Sequence, residues 1–259
     1  MSMFKRMLAS VGIGAAQVNL MLHQDVVSAG DSISGIVRIQ GGKVSQQIDD
    51  VHAFVMTRYF KEQNDSKRNV DAVIAKFRLA GKFTAEAGQV YEFPVSFQLP
   101  ASTPATMGRT QVWIQTGLDI NDAIDPTDVD RLQVRPHRYS AIVLEAVNQM
   151  GFRLREVACE YSPRYGQKNG VPFVQEFEFV PSSHFRGHLD ELEIFFYPDE
   201  NGVELLLQID RKVRGFSSFL AEAAGTDESL VRVRFTREHL DLGTDYIAGQ
   251  LANLIQKYI

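Results

Sequence analysis

The residues best placed to do chemistry are five carboxylates within twelve positions: Asp119, Asp122, Asp125, Asp128 and Asp130, shortly after Trp113. Oxygen ligands at that density suit a hard cation such as calcium, which takes roughly six to eight of them. An EF-hand loop needs oxygen side chains at its first, third and fifth positions and glycine at its sixth. Counted from Asp119, the fifth is Ala123 and the sixth is Ile124, so that motif fails. The run is read instead as turn chemistry. Asp119 and Asp122 cap or turn the chain, Asp125-Pro126 opens a tight turn, and Asp128 and Asp130 face water ahead of the next strand. Together with Trp113 these aspartates are the expected partner-binding residues, and cation or small-ligand binding by the 119–130 loop is the alternative.

The other reactive side chains are scattered. His184 and His188 have the spacing that puts two imidazoles on one helix face, with Glu191 beyond them, but Pro181, Ser182, Ser183 and Gly187 mark a loop, where the spacing loses its meaning. Cys159, the single cysteine, lies in an apolar-alternating strand and is read as a small core residue; it can make neither an internal disulfide nor a thiolate zinc site. Gly12-Ile-Gly-Ala-Ala16 lacks both the third glycine and the preceding strand of a dinucleotide fingerprint. No Walker A loop and no Gly-x-Ser-x-Gly elbow occurs, and the basic cluster Arg211, Lys212 and Arg214 has no interleaved aromatics for base stacking. No catalytic residue, metal or cofactor is assigned.

The elements that must carry these residues have a period of two from Gln17 to about Val134. Val18, Leu20 and Leu22 alternate, as do Val51, Ala53, Val55, Thr57 and Tyr59; then Val73 to Leu79, Tyr91 to Leu99, and Val112 with Ile114. Turn chemistry bounds each run, at Ser28 to Asp31, Gly41-Gly42, Gln63 to Ser66 and Pro100 to Pro104. Such a series indicates an antiparallel β-sandwich. Beyond Pro136 the pattern becomes mixed. A helical stripe over 139–150 ends at Gly151, as a left-handed cap requires. Aromatic strands follow around Phe173 to Phe179 and Leu192 to Phe196, with a long one from Val203 to Val213. Helices are expected at 216–224 and at 244–258, the latter with Thr244 as its cap. Ahead of all this, Phe4, Met7 and Leu8 suggest a short amphipathic helix in preference to a secretory leader.

The expected division is therefore 1–137, a β-sandwich domain, and 138–259, a second β-rich domain with helices. The chain has 259 residues, enough for two cores, and carries 27 basic against 32 acidic side chains. The first part holds 14 of each, so the whole excess of five negative charges belongs to the second. That balance recommends no nucleic acid as partner. No stretch approaches the roughly eighteen apolar residues of a membrane span.

Taken in order, Gly12-Ile-Gly-Ala-Ala16, Met56-Thr57, Leu99-Pro-Ala-Ser-Thr-Pro104, the Trp113 to Ile120 strand with Asp125-Pro-Thr-Asp128, Gly151-Phe-Arg-Leu-Arg-Glu156, and the segment from Phe185 to Glu193 resemble the bacterial sporulation-control stage-zero M proteins over nearly the whole chain. The resemblance implies a mainly β protein whose amino-terminal sandwich is arrestin-like, and a regulator without catalytic activity. Similar proteins occur in bacteria that make no spores, so the process does not transfer with the name. The expectation is a cytoplasmic regulatory or scaffold protein that binds a protein partner, by pairing at a strand edge or in the groove between its domains. A self-pairing edge would equally give a homodimer.

Overall fold

Hydrophobic alternation decides the strands, and the computed structural model shows them over residues 14–63, 66–120, 127–211 and 228–259, the residues it describes. The protein is mainly β, with two compact units. Unit 1 takes 1–58, 71–106 and 111–135; unit 2 takes 59–70, 107–110 and 136–259. The amino-terminal helix expected near Phe4 and the helix expected at 216–224 lie outside the described residues.

In unit 1, β1 (Gln17–Leu22), β2 (Val26–Ser28) and β3 (Ser32–Gln40) lead into β4 (Gln46–Gln63), which belongs to this unit as far as Arg58. The unit resumes at Asp71 within β5 (Ser66–Ala80), and continues through β6 (Phe83–Ala85), β7 (Val90–Gln98), β8 (Val112–Ile120) and β9 (Thr127–Arg135). One sheet has the order β1-β3-β7, all antiparallel. In the other, β4, β8 and β9 are antiparallel neighbours, β2 joins β9 in parallel, and β5 and β6 pair with β4. Between them sits one core, with Leu20, Ile33, Val37 and Ile39 from the first sheet meeting Ile48, Val51, Val55, Ile114 and Leu118 from the second. This is the sandwich the alternation predicts.

Unit 2 begins its continuous part with α1 (Arg138–Gln149), whose buried stripe is Tyr139, Val143, Ala146 and Val147. His137 caps it, Nδ1 accepting the Tyr139 N–H at 3.4 Å. At the other end Gly151 adopts φ +82°, the left-handed geometry expected of it. Then follow β10 (Phe152–Tyr161), the single-turn α2 (Pro163–Gly166), β11 (Phe173–Pro181), β12 (Leu189–Asp199), β13 (Gly202–Arg211), β14 (Glu228–Thr236), α3 (Arg237–Asp241) and α4 (Thr244–Ile255). The five strands form an antiparallel series in sequence order. Their inner face, Phe177, Phe179, Leu192, Ile194, Leu205 and Leu207, packs with α1 and α4, whose Ile247, Leu251 and Ile255 are fully buried. Thr244 is not the cap of α4; it is its first residue, and Gly243, at φ +93°, precedes it.

A single cut after residue 137 does not describe the division, for a physical reason. Tyr59 stacks on Tyr161 and Phe173 at 6.0 and 5.4 Å, Lys61 Nζ lies 4.3 Å above the Tyr161 ring, and Lys67 pairs with Glu160 at 3.4 Å. Likewise the Arg109 N–H donates to Val157 O at 2.9 Å, and Gln175 Nε2 to Thr110 Oγ1 at 3.0 Å. Aromatic stacking and hydrogen bonds, not chain order, place 59–70 and 107–110 in unit 2.

The face of this sheet opposite the helices carries a second, small apolar group of Val174, Phe195, Tyr197 and Leu206. Beside it stand Glu176 and Glu193, both largely buried and hydrogen-bonded to each other. Burial first, then Glu176, pushes Glu193 up to about 9, and burial also raises Glu176. Arg155 bridges the neighbouring Glu178 and Glu191, and the raised values of Glu176 and Glu193 favour a proton between them.

Two outcomes are expected. Gly151→Ala forces a left-handed alanine and drives its Cβ against Ser183 Oγ, costing about 1–2 kcal/mol in chemical denaturation. The folded chain keeps the Glu193 proton to about 9, whereas the unfolded chain releases it near 4.5, so this stabilisation is complete below 4.5 and is lost as pH rises towards 9. Glu193→Gln, with no proton to lose, should melt at the wild-type temperature near pH 4 and increasingly above it up to pH 9; parallel melting curves would show that no proton is shared.

Candidate functional site

Strands β4, β8 and β9 present two faces, and their register fixes what each carries. Met56 lies opposite Trp113, which lies opposite Arg131; Phe54 lies opposite Gln115, which lies opposite Val129. These residues alternate with the core positions Val55, Ile114 and Leu132, so they point away from the core. Phe54, Met56 and Trp113 are partly buried there, and Val129 is 56% exposed.

Cations frame this apolar strip. The Arg58 guanidinium stands 5.8 Å from the Trp113 ring centroid while binding Asp71 through Nε and Nη2 at 2.6 and 3.1 Å. Lys76 Nζ lies 5.2 Å above Phe54. Cation–π contacts of this kind hold an aromatic ring in place on an open face and contribute about 0.5–1 kcal/mol each where exposed. His52 borders Phe54, with ring centroids 6.1 Å apart. Burial, and after it the Lys76 charge, lower its pKa, favouring the neutral imidazole.

The sequence-predicted residues do not converge. Trp113 lies in the strip, and Asp119, exposed, stands farther along β8 on the same face, opposite Asp50. Asp122 and Asp125 lie outside the described residues. Asp128 and Asp130 are only partly exposed: they occupy the core-facing side of β9, opposite Thr116 and Ile114. Asp128 Oδ2 accepts the Leu20 N–H of β1 at 2.8 Å. The ladder to β8 sets that side, and a backbone donor that β3 leaves unused gives Asp128 its partner there, since a buried amide needs an acceptor. The described members of the acidic run are thus split between two faces of the sheet, and no common ligand can touch all of them.

Sequence reasoning missed Phe54, Met56, Arg58, Lys76 and Arg131. A signal for two of them existed: once Val51, Ala53, Val55 and Thr57 are given to the core, Phe54 and Met56 are large apolar residues on the face an antiparallel sandwich normally leaves polar.

The remaining candidates settle into structure. His184 and His188 are exposed in a turn, flanking the buried Phe185. Cys159 is 1% exposed in β10, its Sγ 3.9 Å from Thr110 Oγ1. Among the described residues no group of three or more His, Cys, Asp or Glu is arranged to hold a metal ion, and no helix is long and apolar enough to cross a membrane.

Three comparisons bear on kinship. The family model for the SpoOM protein matches residues 4–213. The sporulation-control protein Spo0M of Bacillus subtilis strain 168 is 41% identical over 259 residues, covering 100% of this chain and 99% of its relative. The crystal structure of Spo0M from Bacillus subtilis superimposes with a TM-score of 0.84 at 38% identity, over 95% of this chain and 100% of that one. A match of this extent, in sequence and in fold alike, makes the chain a member of the SpoOM protein family.

Proposed function

We propose that this chain is a non-catalytic regulatory protein of the cytoplasm, an arrestin-like scaffold that works by binding a protein partner on the outward face of the unit 1 sheet. The observation that carries the reading is the strip of Phe54, Met56, Trp113 and Val129 on a strand face that the sandwich core does not use. Aromatic residues, methionine and arginine are the types enriched where protein surfaces meet, and Trp and Arg dominate the energy of such contacts. The cations around the ring strip fit a partner segment that offers apolar side chains with carboxylates beside them. The role of the Bacillus subtilis relative, sporulation control, supports a regulatory task.

The experiment is a pair of variants on the strip, with one on the other unit as control. Trp113→Ala should weaken capture of the cognate partner about 30-fold, the scale of an interface hot spot, with little change in melting temperature. Arg131→Glu, which truncates nothing, should weaken it through charge alone. Leu154→Ala, on an exposed residue of β10, should leave capture intact. Equal capture by all three, or turnover of a substrate by the purified chain, would overturn the proposal.

A further inference from the structure

We propose that Asp128 and Asp130 form a proton-sharing carboxyl pair that ties the free edge of β1 to β9, so that the seam of the unit 1 sandwich responds to pH. The pair lies where β2 does not cover β9, since β2 pairs only with Gln133 to Arg135. An inward charge on a strand edge is a common guard against edge-to-edge aggregation, but here the two acids are also wired to the other sheet. Asp128 accepts two backbone N–H groups, from Leu20 at 2.8 Å and from Val129 at 3.0 Å. Leu20 pairs with Val37 on its other side, so this bond spans the gap between the β1-β3-β7 sheet and β9.

Asp130 is held differently. Its Oδ2 is buried without a hydrogen-bond partner, and the fully buried Thr116 hydroxyl nearby on the same face is likewise without one, so it does not supply the missing donor. A proton on Asp130, donated to Asp128, satisfies the orphaned oxygen and removes the repulsion between two carboxylates. Burial first, then the Asp128 charge, raises Asp130 to about 6. Among the described residues, the core-facing side chains of β1, β2 and β8 around it are Val18, Leu20, Val27, Ile114, Thr116 and Leu118, none of them titratable, and Asp128 is the charge that acts on it.

The sign follows from the raised value. The folded chain binds this proton more tightly than the unfolded chain, whose Asp releases it near 3.8. The stabilisation is complete below 3.8 and is lost as pH rises to about 6; above that, Asp130 is charged beside a charged Asp128 and strains the hold on β1.

Two measurements on the intact chain and one variant test this. A carboxyl-carbon NMR titration should place the Asp130 midpoint near 6. Amide exchange at Leu20, corrected for its intrinsic pH dependence, should be slower at pH 5 than at pH 7 by about tenfold, because most of the linkage between 3.8 and about 6 is already lost by pH 5. Asp130→Asn, whose amide can donate to Asp128 at any pH, should abolish that difference. An Asp130 midpoint near 4, or equal Leu20 protection at both pH values in the wild-type chain, would overturn the proposal. These two wild-type readouts decide the matter even if the variant does not fold.

Discussion

The pleat of β4 and β8 constrains unit 1 more than any single contact. Side chains alternate across a strand with a period of two, so once Val51, Ala53 and Val55 are committed to the core, every other position in β4 is committed to the opposite face. The ladder then passes the same decision to β8 and from there to β9. Both the outward strip around Trp113 and the inward carboxylates of β9 are consequences of that one choice. A slip of one residue in the β4–β8 register would exchange the two faces, bringing Trp113 into the core and expelling Ile114.

Each unit also shows how carboxylates are accommodated away from water. In unit 2, Glu176 and Glu193 sit diagonally on neighbouring strands, and burial rather than a cation sets their state. In unit 1, one acid accepts a backbone amide from the opposing sheet, and burial raises the other. The ion pairs elsewhere, such as Arg58 with Asp71 and Arg78 with Asp50, are exposed and contribute little by themselves. Their use is to fix the directions of long side chains beside the rings they cover.

Much of the fold was legible because apolar periodicity is a local signal. The sandwich strands, the stripe of α1 with its Gly151 stop, and the buried face of α4 follow from spacing alone. Features set by distant partners were not legible. Asp128 and Asp130 have the residue type of a solvated turn, but the ladder to β8 places them inward, where the unmet Leu20 amide, far away in sequence, gives Asp128 its partner. Tyr59 was read as the last member of a sandwich strand, yet its ring stacks on Tyr161 and Phe173 of unit 2. The candidate site was half visible: Trp113 drew attention as part of an acidic run, but its actual neighbours, Met56 and Arg58, come from a strand more than fifty residues earlier.

The interleaved division of the chain bears on how the protein is born. A ribosome delivers the stretch 59–70 well before the strands it belongs with, and Lys67 precedes Glu160 by 93 residues. Closing a loop of that length is entropically costly before any contact rewards it, and such non-local pairing is slow. In the interval Tyr59 and Phe60 are exposed on a nascent strand, with Tyr161 and Phe173 not yet made. Truncating the chain between the units would leave the same aromatics stranded, so neither unit can be excised by one cut without exposing a sticky strand end.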